Sequence, residues 1–259
     1  MRIILASTSP RRRELIKRIT TDFECVPSLV DEQAVEERVE KGGVYVSEAG
    51  LAALMVRALS REKARDVFDR LEDKENVLVI GADTVVCLEN EILGKPKDRA
   101  DAVRMLRAQS REPQRVITGV SFIYCGSLSA DRCCASGNNC CADGKCAGRA
   151  FGNDAGSVID GLAGCCPDGQ GKEGTIIRTF TEETLVYFHP LDEAQEERIQ
   201  AYCDTEEPYD KAGAYGIQLG GNALVERYEG DFDNIVGFPV KRIKEELQEL
   251  LCCNCNNLT

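Results

Sequence analysis

The run V-L-V-I-G-A-D-T-V-V-C at 77–87 sets the tightest limit on how this chain folds. A continuous apolar stretch rich in β-branched residues fits a strand covered on both faces. Asp83 interrupts it. Burying an unpaired carboxylate costs several kcal/mol, so Asp83 needs a metal, a lysine or strong donors beside it. A carboxylate at such a break can ligate Mg²⁺ or orient and deprotonate a water. The competing reading, an aspartate capping a turn, is disfavoured by apolar residues on both sides.

The elements around this strand alternate. A strand is expected at 2–6, followed by a helix over 11–18 with Ser9 as N-cap and Pro10 in its first turn. A strand at 23–30 and a helix over 45–70 carrying Lys63 come next. The chain then turns at 89–91 and reaches Lys95-Pro96, a helix over 98–108 and a strand at 116–124. The partner of that strand is expected at 175–188. A helix over 192–204, Gly-interrupted strands over 213–227 and a helix over 239–251 complete the chain. Strands alternating with helices give an α/β domain.

Composition removes several functions. With 32 basic and 44 acidic residues, the net charge of −12 disfavours a nucleic-acid polymer or an anionic membrane as partner. No apolar run reaches the length of a membrane span, and the start M-R-I-I-L-A-S-T-S-P lacks the pattern of a signal peptide. A cytoplasmic protein is expected. His189 is the sole histidine, which excludes histidine-based triads and multi-histidine metal sites.

Against this acidic background, the basic residues are concentrated. Arg11, Arg12 and Arg13 open the first helix, where cations oppose the helix dipole, and Arg12 takes the place of a capping-box glutamate. A bound anion reverses that argument. Free backbone N–H groups, the hydroxyls of Ser7 and Ser9 and guanidinium forks make a phosphate cradle. A solvated basic helix start is the alternative, and the motif alone leaves the two even. Lys95 in G-K-P and Lys211 in D-K-A-G-A-Y-G stand beside small residues that let a ligand approach closely. Glu32 follows the second strand as a second metal ligand beside Asp83, or as part of a surface loop. Lysines gathered at one cleft would focus an anionic substrate such as a phosphate ester or nucleotide.

Fourteen cysteines suggest a disulfide scaffold, but eight fall between Cys125 and Cys166 and three more at Cys252, Cys253 and Cys255. The segment 126–173 has few large apolar residues and reads as an insertion in a β-hairpin. A flexible loop, a soft-metal site and a disulfide-linked mini-domain are its three readings. The tail 252–259 is polar.

Taken in order, L-A-S-T-S-P-R-R-R-E-L-I, R-E-K-A-R, G-A-D-T-V-V, I-L-G-K-P-K-D, V-I-T-G-V, D-K-A-G-A-Y-G-I-Q and G-D-F-D-N-I-V-G-F-P-V resemble the motifs of Maf proteins. The resemblance covers nearly all of the chain outside 126–173 and the tail. Maf proteins are nucleoside triphosphate pyrophosphatases that use a divalent cation. The resemblance implies one Maf-like α/β domain: an elongated mixed β-sheet with flanking helices, in two lobes around a cleft, similar to inosine triphosphatases. It implies Asp83 as proton acceptor, and Arg11, Thr84 and Gln218 as positions of substrate choice. Glu32, Lys63, Lys95 and Lys211 match polar positions of the cleft. The ending A-Y-G-I-Q looks like the subgroup acting on dTTP and UTP. The expected partners are a nucleoside triphosphate, Mg²⁺ or Mn²⁺ held at Glu32 and Asp83, and a second copy of the chain in a homodimer. CTP and modified pyrimidine nucleotides are further candidate substrates. The family is also associated with arrest of septum formation, which leaves a non-catalytic regulatory protein as the alternative. Arg111 and Gln114 stand where the family often has a glycine and a histidine.

Overall fold

A computed structural model describes residues 1–42, 46–126, 158–160, 174–218 and 220–252. One mixed eight-stranded sheet organises them. Its strands are β1 (Arg2–Leu5), β2 (Glu24–Cys25), β3 (Val77–Cys87), β4 (Ile92–Leu93), β5 (Gln114–Gly126), β6 (Val158–Asp160), β7 (Gly174–Phe188) and β8 (Val225–Glu229). The order is β2-β1-β3-β5-β7-β6, with β4 on β3 and β8 on β7. β1 runs parallel to β2 and β3, and the remaining pairs are antiparallel. The helices are α1 (Pro10–Ile16), α2 (Glu32–Lys41), α3 (Glu48–Asp69), α4 (Arg99–Gln109), α5 (Glu193–Cys203), α6 (Phe232–Val236) and α7 (Val240–Cys252).

The unbroken apolar pattern of β1 and β3 follows from burial on both faces. Ile4, Val77 and Val79 pack on the α3 side with Ala64, Val67 and Phe68. Their neighbours Ile3, Leu5, Leu78 and Ile80 point the other way, into the larger core shared with α1, α4, α5 and α7. The same alternation sends Asp83 to the α3 face and Thr84 to the opposite one.

α3 lies unusually close to the sheet, and two glycines permit it. A Cβ on Gly81 would sit 2.1 Å from the Ser60 carbonyl oxygen, and one on Gly119 2.3 Å from that of Val56. No side chain fits at either position. Beside this contact Ser60 Oγ, Ser121 Oγ and Thr179 Oγ1 form a buried hydroxyl chain with 2.9 Å links. α7 covers the other face through Val240, Ile243 and Leu247, all buried, at helical spacing. Each such side chain contributes about 1.5–3 kcal/mol of burial.

Four elements depart from the sequence reading. The strand expected at 23–30 shortens to Glu24–Cys25, because Pro27 cannot donate to a ladder. The strands expected over 213–227 are 3₁₀ turns at Ala212–Ala214 and Gly220–Leu224, with a strand only at β8. Gly213, at φ 71°, cannot sit in a strand. α2 and α6 were not expected at all. Asp31 and Asp231 cap them, accepting from Ala34 N–H and Asp233 N–H. The insertion read at 126–173 lies outside the described residues except for Gly126 and Val158–Asp160. There Gly126 and Gly174 are β-partners, and β6 pairs with β7. Of the tail, only Cys252 is described, as the end of α7.

Candidate active site

A cleft of about 1210 Å³ opens at the end of β3. Its floor includes Thr84, Val85, Val86, Leu93 and Val116. α2 forms one wall with Glu32, Gln33, Glu36 and Glu40. The other wall carries Arg11, Lys95, Asp210, Lys211 and Gln218. The cleft is therefore acidic on one side and largely basic on the other.

Asp83 stands on the acidic side. Lys63, reaching from α3, donates to Asp83 Oδ1 at 2.6 Å and pairs with Glu32 Oε1 at 2.6 Å. Lys63 and Asp83 are almost wholly buried, whereas Glu32 is half exposed. Of the partners open to Asp83, a metal, a lysine or strong donors, the structure supplies a lysine, and it comes from the helix that Gly81 and Gly119 let approach. Glu36 adds a third carboxyl. Burial raises its pKa, and the charges of Asp83, Glu32 and Glu40 raise it further against the opposing pull of Lys63. One ammonium facing three carboxyls leaves the pocket with surplus negative charge.

The arginine-rich turn divides its labour. Ser9 caps α1 by accepting from Arg12 N–H at 3.4 Å, and Ser7 Oγ accepts from Ser9 N–H at 3.2 Å. Ser7 is buried beneath the turn and is not part of the cleft lining. Arg12 lines the cleft, but its guanidinium is anchored to the protein. Nε donates to the Gly237 carbonyl at 2.9 Å, Nη1 to the Ala82 carbonyl at 2.8 Å and Nη2 to Thr84 Oγ1 at 3.0 Å. This fork ties α1 to the end of β3 and to the C-terminus of α6, where a cation is favourable. It resolves the unfavourable charge that the sequence places at the start of α1. Burial lowers the Arg12 pKa, opposed by the nearby Asp83. Thr84 also shares a hydrogen bond with Thr118 at 3.0 Å.

On the basic wall, Lys211 donates to Asp210 Oδ1 and to the Glu207 carbonyl. Burial pushes the Asp210 pKa up. The hydrogen bond and charge of Lys211, with the charge of Arg11, outweigh this and hold it below the ordinary range. Lys95 and Gln218 are exposed at the cleft. The structure thus brings together Ser9, Arg11, Arg12, Glu32, Asp83, Thr84, Lys95, Lys211 and Gln218 around one space, with Lys63 behind Asp83 and Ser7 below.

Sequence reasoning missed Glu36, Glu40 and Asp210. The glutamates had a signal: Glu32, Glu36 and Glu40 lie four apart, which aligns them on one face of a helix. Asp210 had only its adjacency to Lys211.

Hard carboxylate oxygens suit Mg²⁺ or Mn²⁺, and such ions are commonly held by one or two carboxylates together with substrate phosphates. Glu32 and Asp83, with the surplus charge around them, fit that description. Among the described residues no group of three His, Cys, Asp or Glu side chains forms a self-sufficient metal cage. No helix among them is long and apolar enough to cross a membrane.

The sequence model of the family described as Maf-like protein matches residues 2–139 and 148–250. The dTTP/UTP pyrophosphatase of Acetivibrio thermocellus is 38% identical over 253 residues, 96% of this chain and 95% of that protein. The dTTP/UTP pyrophosphatase of Thermosipho africanus is 35% identical over 243 residues, covering 94% of this chain and 90% of its own length. That of Clostridioides difficile is 35% identical over 254 residues, with coverages of 98% and 97%.

Proposed function

The chain belongs to the Maf family, and from that membership we propose that it hydrolyses dTTP and UTP to the monophosphate and pyrophosphate. The single observation that carries the reading is Asp83, held by Lys63 at 2.6 Å and facing a wall of cations. Lys63 fixes the carboxylate's orientation. Asp83 takes a proton from the attacking water as it approaches the α-phosphorus, and pyrophosphate leaves. Arg11, Lys95 and Lys211 neutralise the charge that builds up on the phosphates. Arg12 and Ser9 shape the turn that presents Arg11, and Arg12 sets the Thr84 hydroxyl. Gln218 reads the base edge, since its amide offers both a donor and an acceptor.

Glu32 and Asp83 would hold the divalent cation, Mg²⁺ or Mn²⁺, which supplies charge neutralisation on the triphosphate when bound. CTP and modified pyrimidine nucleotides are secondary candidate substrates. Location in the cytoplasm and a homodimer complete the proposal on family likeness. The measurement that checks the dimer is light scattering, with a mass of twice the chain as the expected outcome. The non-catalytic alternative is not favoured, because a pure interaction protein has no need of a lysine-anchored carboxylate opposite a cationic wall.

The test is pyrophosphate release from a panel of nucleotides with Mg²⁺ or Mn²⁺, comparing wild type with Asp83→Asn. Release selective for dTTP and UTP is expected, with a loss of about 10²–10⁴-fold in the variant. Near-wild-type turnover by Asp83→Asn would remove Asp83 from the mechanism.

A further inference from the structure

The geometry points to Gln109 as a positioning residue that holds the two cleft lysines in place, an inference resting on Lys95 and Lys211 as phosphate ligands. Gln109 is the last residue of α4, and it is buried. Its amide has two N–H donors, and both are used. One goes to the Met105 carbonyl of its own helix at 3.2 Å, the other to the Gly213 carbonyl at 2.6 Å. The Gly213 N–H donates in turn to the Gly94 carbonyl at 3.0 Å. Both backbone groups of Gly213 are therefore fixed. One tie runs to α4 and the other to the residue preceding Lys95. Lys211 lies two residues before Gly213, so both lysines hang from this one residue.

The segment needs such a tie. Gly213 has φ 71°, and the next residue, Ala214, has φ 59° while fully buried. A side-chain-bearing residue in the left-handed region is strained and persists only where its surroundings impose the conformation. Gln109 and Gly94 impose it from opposite sides. Neither Gln109 nor Gly94 contributes a charge to the site. Their effect reaches the substrate through the placement of Lys211 and Lys95.

The experiment compares wild type, Gln109→Leu and Gln109→Leu/Ala214→Gly by steady-state pyrophosphate release from dTTP and by hydrogen exchange. Gln109→Leu leaves the Gly213 carbonyl without its partner. It should raise KM about tenfold with a smaller fall in kcat, and speed exchange in 211–218 without affecting α3. Glycine adopts φ 59° without strain, so Ala214→Gly should recover a large part of the KM increase. A residue that only packed the core would instead lose stability at unchanged KM, and Ala214→Gly would then add to the damage. Either of those results, or unchanged exchange at 211–218, overturns the inference. If wild type releases no pyrophosphate from any nucleotide, the proposed function fails. The exchange data still decide whether Gln109 clamps the loop.

Discussion

The two walls of the cleft are built in opposite ways. The acidic wall stands on regular structure: α2, the long helix α3 and the central strand β3, with Lys63 buried between Asp83 and Glu32. Apart from Arg11 on α1, the basic wall stands on short turns at 208–218 and on the link that carries Lys95. The difference teaches where each property comes from. A proton acceptor must keep one orientation, and a rigid sheet with a packed helix provides it. Charges that grip a flexible triphosphate tolerate a looser frame, provided a few hydrogen bonds hold it.

The largest test of this contrast is Lys63→Met. Removing the buried ammonium strands Asp83 without its partner, and breaking a buried pair of this kind costs about 3–5 kcal/mol. Urea unfolding should show that loss, and turnover should fall with it. A variant of wild-type stability would mean that the acidic wall is not held by Lys63. Lys211→Met is expected to behave differently. The fold should survive, while KM for dTTP rises about tenfold, equivalent to about 1.4 kcal/mol. Loss of kcat alone, with KM unchanged, would assign Lys211 to the chemical step and blur the contrast between the walls.

The smallest effect is expected behind the basic wall. Arg107 of α4 pairs with Glu196 of α5, and hydrogen bonds from Arg107 and then Gln200 hold the Glu196 carboxyl down at about 2. A depressed folded pKa gives stability above the unfolded value, lost as pH falls through the folded one. The pair is partly exposed to solvent, so screening weakens it. Glu196→Gln should lower the melting temperature by about 2 °C or less at pH 7, and the gap should close as pH falls from about 4.5 towards 2. A large shift would show that the basic wall depends on surface charge rather than on Gln109 and Gly94.

Legibility in the sequence followed the same division. β3, β5, β7 and α3 were readable because burial on two faces, or on one helical stripe, leaves a periodic apolar trace. The need of Asp83 for a metal, a lysine or strong donors was also readable, but Lys63 was placed among the polar positions of the cleft and not named as its partner. α2 escaped because E-Q-A-V-E-E-R-V-E-K buries little more than Val35, leaving almost no apolar stripe. α6 escaped because five residues are too few for a period. Residues 213–227 read as Gly-interrupted strands because their glycines hid the left-handed backbone at 213 and 214. The anchoring of Arg12 on Ala82 and Gly237 joins residues far apart in the chain, which no local pattern records.

The pairing of Gly126 with Gly174 has a consequence for how this enzyme can change over generations. Because the chain leaves and re-enters the sheet as β-partners, the two ends stay about 5 Å apart whatever is spliced between them. Doubling the length of such a connection costs only about 0.6 kcal/mol. Along β5 that junction lies ten residues beyond Val116 of the cleft floor, about 34 Å for an extended strand. The hairpin end therefore works as a port for insertions. Length added there should disturb the sheet little so long as β6 keeps its place on β7, and the same junction suits the fusion of a reporter domain.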